Sequence, residues 1–172
     1  MRIVLLGFMG CGKTSTGQLL ADKMGYEFAD LDHEIESASK ATIEELFRDK
    51  GEKAFRKMEY EALCQLLKKE DTVLSLGGGA PCFFNSMELI NTSSVSVYLK
   101  MSADSLFSRL LNERKHRPLI KDLSEKELKD FISEMLYIRE PFYNRAHYKI
   151  KAKEIQVGAL VDFLMQAQHQ FN

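Results

Sequence analysis

The sequence predicts an α/β fold, a parallel sheet with helices packed on both faces, and three observations predict it. Short apolar runs without polar alternation, the mark of strands buried on both faces, recur along the chain. Segments with helical spacing separate them, as parallel crossovers require. Glycine-rich turns close two of the runs, at Gly7 and at Gly77-Gly78-Gly79. The length, 172 residues, fits one domain over residues 1–172.

The elements follow in order. Arg2 to Leu6 (RIVLL) is the first buried strand. A helix from Lys13 to Met24 carries Leu19, Leu20 and Met24 at helical spacing, and Gly25 closes it. Tyr26 to Ala29 is a second strand, running into Asp30-Leu31-Asp32. Residues 42–50 and 52–69 read as two helices, the latter with Phe55, Met58, Leu63, Leu66 and Leu67 along one side. Thr72 to Leu76 is the third strand and Val95 to Leu99 the fourth, followed by a helix over 103–112. Residues 113–130 are polar, with Pro118 among them. They suit a mobile, solvated segment in which a helix resumes near Ser124. Tyr148 to Ile150 is a fifth strand, and Ile155 to Gln168 a closing helix with Leu160, Phe163 and Leu164 inward. A ligand should bind beyond the carboxyl ends of the strands.

Composition excludes several functions. Lys and Arg number 24 against 25 Asp and Glu, a net charge of −1, so no basic stripe marks a nucleic-acid binder. Hydrophobic residues make up 45% and charged residues 28%, which argues against wholesale disorder. No apolar run approaches about 18 residues, so no membrane partner is expected. No cleavage site closes the apolar start, so it is not read as a signal peptide. Cys11, Cys64 and Cys82 are odd in number and lack Cys-x-x-Cys spacing, which suits reduced thiols in a cytoplasmic protein.

Residues 7–14, Gly-Phe-Met-Gly-Cys-Gly-Lys-Thr, match G-x-x-x-x-G-K-[ST] between a strand and a helix. Such a loop surrounds phosphate oxygens with backbone N–H groups at a helix N-terminus. Lys13 would reach the β- and γ-phosphates, and the Thr14 hydroxyl would ligate Mg²⁺. Cys11 lies close to the start of that helix, where a thiolate is favoured, so thiol reagents are expected to inactivate and ATP to protect; a spacer whose thiol points away is the alternative. Asp30 and Asp32, read as the end of the second strand, would point to opposite sides of an extended chain. One could serve a metal shell and the other a substrate hydroxyl; a turn or N-cap is the alternative. Three consecutive glycines at 77–79 are entropically costly, so they serve either close ligand approach or a tight crossing. Arg56 and Arg139 taken alone are solvated charges or ligand contacts, and Arg114 to Arg117 form a basic cluster in the lid-like segment.

Taken together these residues resemble shikimate kinases. The similarity rests on residues 7–14, Asp30-x-Asp32, and Ile43…Phe47…Gly51-Glu52…Phe55-Arg56…Glu59. It continues through Leu76-Gly77-Gly78-Gly79, Arg117-Pro118-Leu119 and Arg139…Tyr143…Ala146. The resemblance implies a three-layer P-loop kinase fold like that of nucleoside monophosphate kinases. It has a five-stranded parallel sheet, a shikimate-binding region near residues 31–60 and a lid near 112–124. The reaction it implies moves the ATP γ-phosphate to the 3-hydroxyl of shikimate on the way to chorismate, with Mg²⁺ as cofactor and a monomer as the default. Lys13, Asp32 and Arg117 would be catalytic. Gly10, Cys11, Gly12, Lys13, Thr14, Ser15, Arg109 and Arg117 would bind ATP. Asp32, Arg56, Gly77, Gly78, Gly79 and Arg139 would bind shikimate, and Thr14 and Asp30 the metal. Lys40 stands where the family carries glycine, and since lysine tolerates positive φ poorly, a differently shaped loop is expected there. Another small-molecule kinase, such as a gluconate kinase, shares residues 7–14 but has no reason to combine Arg56, Gly77–Gly79 and Arg139. An idle nucleotide-binding module has no need of Lys13, Asp32 and Arg117.

Overall fold

A computed structural model describes residues 1–168. Five strands, β1 (Arg2–Leu6), β2 (Glu27–Asp30), β3 (Thr72–Ser75), β4 (Val95–Lys100) and β5 (Tyr148–Lys151), form one parallel sheet in the order β2-β3-β1-β4-β5. Helices α1 (Lys13–Met24), α2 (Leu31–Ser39), α3 (Ile43–Leu66), α4 (Ser86–Ser93), α5 (Ala103–Glu113), α6 (Glu125–Tyr143) and α7 (Val157–Gln168) flank it. None of these helices is long and apolar enough to cross a membrane.

The central strands have no polar alternation because both faces are covered. In β1, Ile3 and Leu5 enter one core with Leu20, Leu110, Ile132 and Leu164, while Val4 and Leu6 enter the other with Ile35, Phe55, Leu63 and Ile90. That is the three-layer arrangement. The edge strand β5 (YKIK) behaves differently: Lys149 and Lys151 are exposed, and lysines on an edge discourage further strand pairing.

The two helices expected over 42–50 and 52–69 run on as α3, interrupted at Gly51, whose φ of 76° and ψ of 165° break the helical path. A capping box of Thr42 and Glu45 starts α3, and Ser124 with Glu127 starts α6, near where the helix was expected to resume. Helix α4 escaped the sequence reading, since SMELINTS carries little apolar periodicity and tertiary burial of Met87 and Ile90 decides it. One inward assignment is corrected: Phe163 is 43% exposed and lies edge-on against the Tyr148 ring. Of the residues noted for helical spacing or a shared helix side, Leu19 is exposed and Met58 half-buried.

The segment 112–124 is also better anchored than its polarity suggests. Ile120 is fully buried in the core that holds Leu110, Leu128 and Ile132, so the solvated stretch before it is tied down at its far end.

Lys40 closes α2 in the left-handed region, at φ 54° and ψ 33°. The turn thus takes the positive-φ shape that a glycine would favour, and the lysine carries the strain. The expected change of loop shape is not what the structure shows.

Candidate active site

The connection leaving β1 runs toward β2, and the one leaving β3 runs the other way to β4. The crevice between the carboxyl ends of β1 and β3 is therefore the switch point where α/β sheets bind ligands. The phosphate loop rises on one side of it and Gly77-Gly78-Gly79 on the other. In register beside them, Asp30 ends β2 opposite Ser75 of β3.

Within the phosphate loop, Gly10 (φ 77°) and Gly12 (φ 94°) hold backbone shapes that side chains rarely adopt, and a Cβ on Gly10 would stand 2.9 Å from Leu110 Cδ2. Lys13 opens α1 and is only 9% exposed. Its Nζ donates to the carbonyls of Gly7 and Phe8, at 3.0 Å each, and so braces the loop from inside. Cys11 is 2% exposed, with Sγ packed under Gly7. Burial removes the access that a thiol reagent needs, so the expectation of Cys11 reactivity is withdrawn. Arg109 on α5 donates from Nη1 to the Gly10 carbonyl at 3.2 Å. Arg117 holds the Glu113 carboxylate through Nε at 3.2 Å and Nη2 at 2.6 Å. Gly10, Gly12, Lys13, Thr14, Ser15, Asp30, Asp32, Arg109 and Arg117 all border one cleft of about 370 Å³.

Asp32 needs a correction of a different kind. It lies in the first turn of α2 and not on a strand, because Asp30 caps that helix with Oδ1, accepting from Asp32 N–H at 3.2 Å and His33 N–H at 3.4 Å. The N-cap alternative for Asp30 is therefore realised. The other oxygen, Oδ2, accepts from the Thr14 hydroxyl at 3.1 Å. Asp32 is half-buried and its carboxyl is pushed up to about 6. Burial is the main cause and the Asp30 charge the next, while Lys13 and Arg56 oppose them.

The three glycines answer the question the sequence left open. Close approach is what they allow, and none has a positive φ. A Cβ on Gly77 would stand 2.5 Å from Asp32 Oδ1, on Gly78 3.2 Å from Arg139 Nη1, and on Gly79 2.7 Å from Arg56 Nη1. Each glycine thus makes room for one of the side chains singled out for substrate. Arg56 is stacked 4.2 Å from the Phe83 ring and paired with Glu59 at 2.9 Å and with Glu52 at 3.4 Å. Its buried Nε has no hydrogen-bond partner among the described residues. Arg139 lies over Phe8 at 5.7 Å. A second cleft of about 560 Å³ is bordered by Asp32, Arg56, Gly77 to Gly79, Arg117 and Arg139, with Phe47 and Phe55 as apolar walls. The two clefts share Met9, Asp32, Gly77, Gly78 and Arg117.

Sequence reasoning gave no role to Glu59 or Glu113. Glu59 is buried, its carboxyl raised by burial against the pull of Arg56, and it holds that arginine in place. The signals were available: Glu59 is three residues after Arg56 on one helix, and Glu113 four before Arg117.

The family model described as Shikimate kinase matches residues 9–167. The chain belongs to the shikimate kinase family. A shikimate kinase of Azobacteroides pseudotrichonymphae genomovar. CFP2 is 42% identical over 165 residues, covering 95% of this chain and 97% of that one. The crystal structure of a shikimate kinase from Bacteroides thetaiotaomicron superposes with a TM-score of 0.91 at 39% identity, covering 98% of each chain. A shikimate kinase from Acinetobacter baumannii, solved in complex with shikimate, gives 0.85 at 34% identity over 98% of this chain and 93% of that one. A gluconokinase from Sinorhizobium meliloti, at 15% identity and a TM-score of 0.57, shares the fold alone.

Proposed function

We propose that this shikimate kinase family member transfers the γ-phosphoryl group of ATP to the 3-hydroxyl of shikimate, using the residues gathered where the two clefts meet. The observation that carries the reading is the set of side chains fitted against Gly77, Gly78 and Gly79. One carboxylate and two arginines converge there beside the phosphate loop. Shikimate offers a carboxylate, which fork-shaped guanidinium groups match, and hydroxyls, one of which a carboxylate can orient. Phe47 and Phe55 suit the apolar ring edges.

On the donor side Gly10, Cys11, Gly12, Lys13, Thr14 and Ser15 would hold the phosphates, with Arg109 beside the nucleotide. Transfer breaks the bond from the γ-phosphorus to its bridging oxygen and forms one to the shikimate oxygen. Asp32 takes the proton that this oxygen sheds, and its raised pKa near 6 keeps it ionised at pH 7 yet basic enough to help. Lys13 would steady the charge that develops on the moving group, and Arg117 would join it by exchanging Glu113 for phosphate. Closure of the 112–124 segment over both clefts would exclude water.

Thr14 and Asp30 fit Mg²⁺. They present two hard oxygens side by side, and this ion prefers one or two protein oxygens with phosphate and water completing its shell. When bound there it would neutralise triphosphate charge. Every proposed contact comes from one chain, so a monomer suffices, and free Cys11, Cys64 and Cys82 fit the reducing cytoplasm.

The test is ADP release from Mg-ATP with shikimate, gluconate or no acceptor. Release that depends on shikimate is expected. Equal release with gluconate would favour the other small-molecule kinase reading, and no acceptor dependence would overturn both.

A further inference from the structure

Tyr143, the last residue of α6, is fully buried yet polar at its tip. Its hydroxyl donates to the Gly78 carbonyl. Arg139 stands one turn earlier on the same helix, with its charge acting on that hydroxyl. Gly78 itself borders both clefts and is closely packed. A Cβ there would stand 3.2 Å from Arg139 Nη1, 3.6 Å from the Gly7 carbonyl and 3.6 Å from Met9 N. Beneath both turns lies an aromatic floor: the Tyr143 ring is 5.1 Å from that of Tyr98, and Tyr98 in turn passes 3.5 Å from where a Gly7 Cβ would be.

We infer that Tyr143 is a positioning residue, whose hydroxyl pins Gly78 between the phosphate loop and Arg139 and thereby sets the spacing of phosphoryl donor and acceptor. The inference rests on the proposed shikimate site. Gly78 borders the cleft on each side, so any drift of its peptide moves the acceptor wall relative to the donor loop. The ring alone could fill the space; the hydroxyl is what ties α6 to the β3 turn, at the residue that lies against Gly7 and Met9 of the β1 loop. Transfer between two bound substrates is sensitive to such spacing, since a misplacement of about 1 Å can cost on the order of a hundredfold in rate.

The experiment is steady-state kinetics on Tyr143→Phe, with Tyr98→Phe as comparator and melting temperatures for all. Tyr98→Phe removes a hydroxyl from the same floor that does not touch Gly78. For Tyr143→Phe, roughly a tenfold fall in kcat and a several-fold rise in shikimate KM are expected, with ATP KM within about twofold of wild type. Tyr98→Phe should keep wild-type constants. Wild-type constants in Tyr143→Phe would overturn the inference, even with a lowered Tm, because a merely structural hydroxyl moves stability alone. The same kinetic change in both variants would overturn it too, since packing and not the Gly78 bond would then be responsible. A wild-type protein that turns over no shikimate would refute the proposed function and this inference with it.

Discussion

Adding one methyl group at Gly79 should separate substrate binding from folding. Gly79 sits at φ −90° and ψ −25°, a backbone shape that alanine accepts without strain. Gly79→Ala should therefore gain about 0.4–1 kcal/mol through a less flexible unfolded chain. The new Cβ, however, would stand 2.7 Å from Arg56 Nη1, 2.8 Å from Nη2 and 3.0 Å from Cζ. To reach ordinary contact the guanidinium must retreat by about 0.7 Å. It has little room to do so, with the Phe83 ring 4.2 Å away and Glu59 held at 2.9 Å. Loosening that ion pair offsets the gain, so stability should stay within about 1 kcal/mol of wild type, about 2–4 °C in Tm at this chain length. Binding should not stay. A charge-assisted bond between Arg56 and the substrate carboxylate is worth about 1.5–3 kcal/mol, so losing its geometry should weaken shikimate roughly ten- to a hundredfold. ATP should bind as before, because Gly79 borders the acceptor cleft and not the phosphate loop. The measurements are separate shikimate and ATP affinities beside a melting curve. A shikimate affinity within twofold of wild type would refute the claim that Gly79 exists to seat Arg56.

Other outcomes follow from the same geometry. Because the Asp32 carboxyl titrates near 6, kcat/KM for shikimate should fall about tenfold from pH 7 to pH 5 as the base is protonated; Asp32→Asn should lose both the activity and this limb, and a flat profile would remove Asp32 as the proton acceptor. Lys13→Ala should lower turnover by roughly two to three orders of magnitude, and should also cost about 1 kcal/mol of stability, since the Gly7 and Phe8 carbonyls lose their donor; near-wild-type turnover would sink the nucleotide assignment. Lys40→Gly should raise the stability found by urea unfolding by about 1 kcal/mol, because lysine at φ 54° carries left-handed strain that glycine does not; an unchanged midpoint would show that the strain is already relieved. Arg139→Lys should weaken shikimate by roughly one to two orders of magnitude, keeping charge but losing the fork, and equal binding would remove Arg139 from the clamp.

Much of this molecule is determined by local sequence. Short, largely apolar runs bounded by turn residues suit strands covered on both faces, so RIVLL and TVLSL point to the central sheet. The spacing of glycines, Lys13 and Thr14 prescribes a phosphate loop because its chemistry is local, carried by consecutive backbone N–H groups. Distances between segments were not determined that way. That Asp32 begins a helix follows from Asp30 capping it, and an Asp-x-Asp pattern suits a strand end equally well. That Cys11 is buried depends on a core it shares with Leu99 and Leu110, from far along the chain. Gly77, Gly78 and Gly79 were legible as a costly run, but their purpose lies in Asp32, Arg139 and Arg56, which arrive from three separate helices. Sequence records which backbone is allowed at each residue; only packing decides which side chain occupies the space that a missing Cβ leaves open.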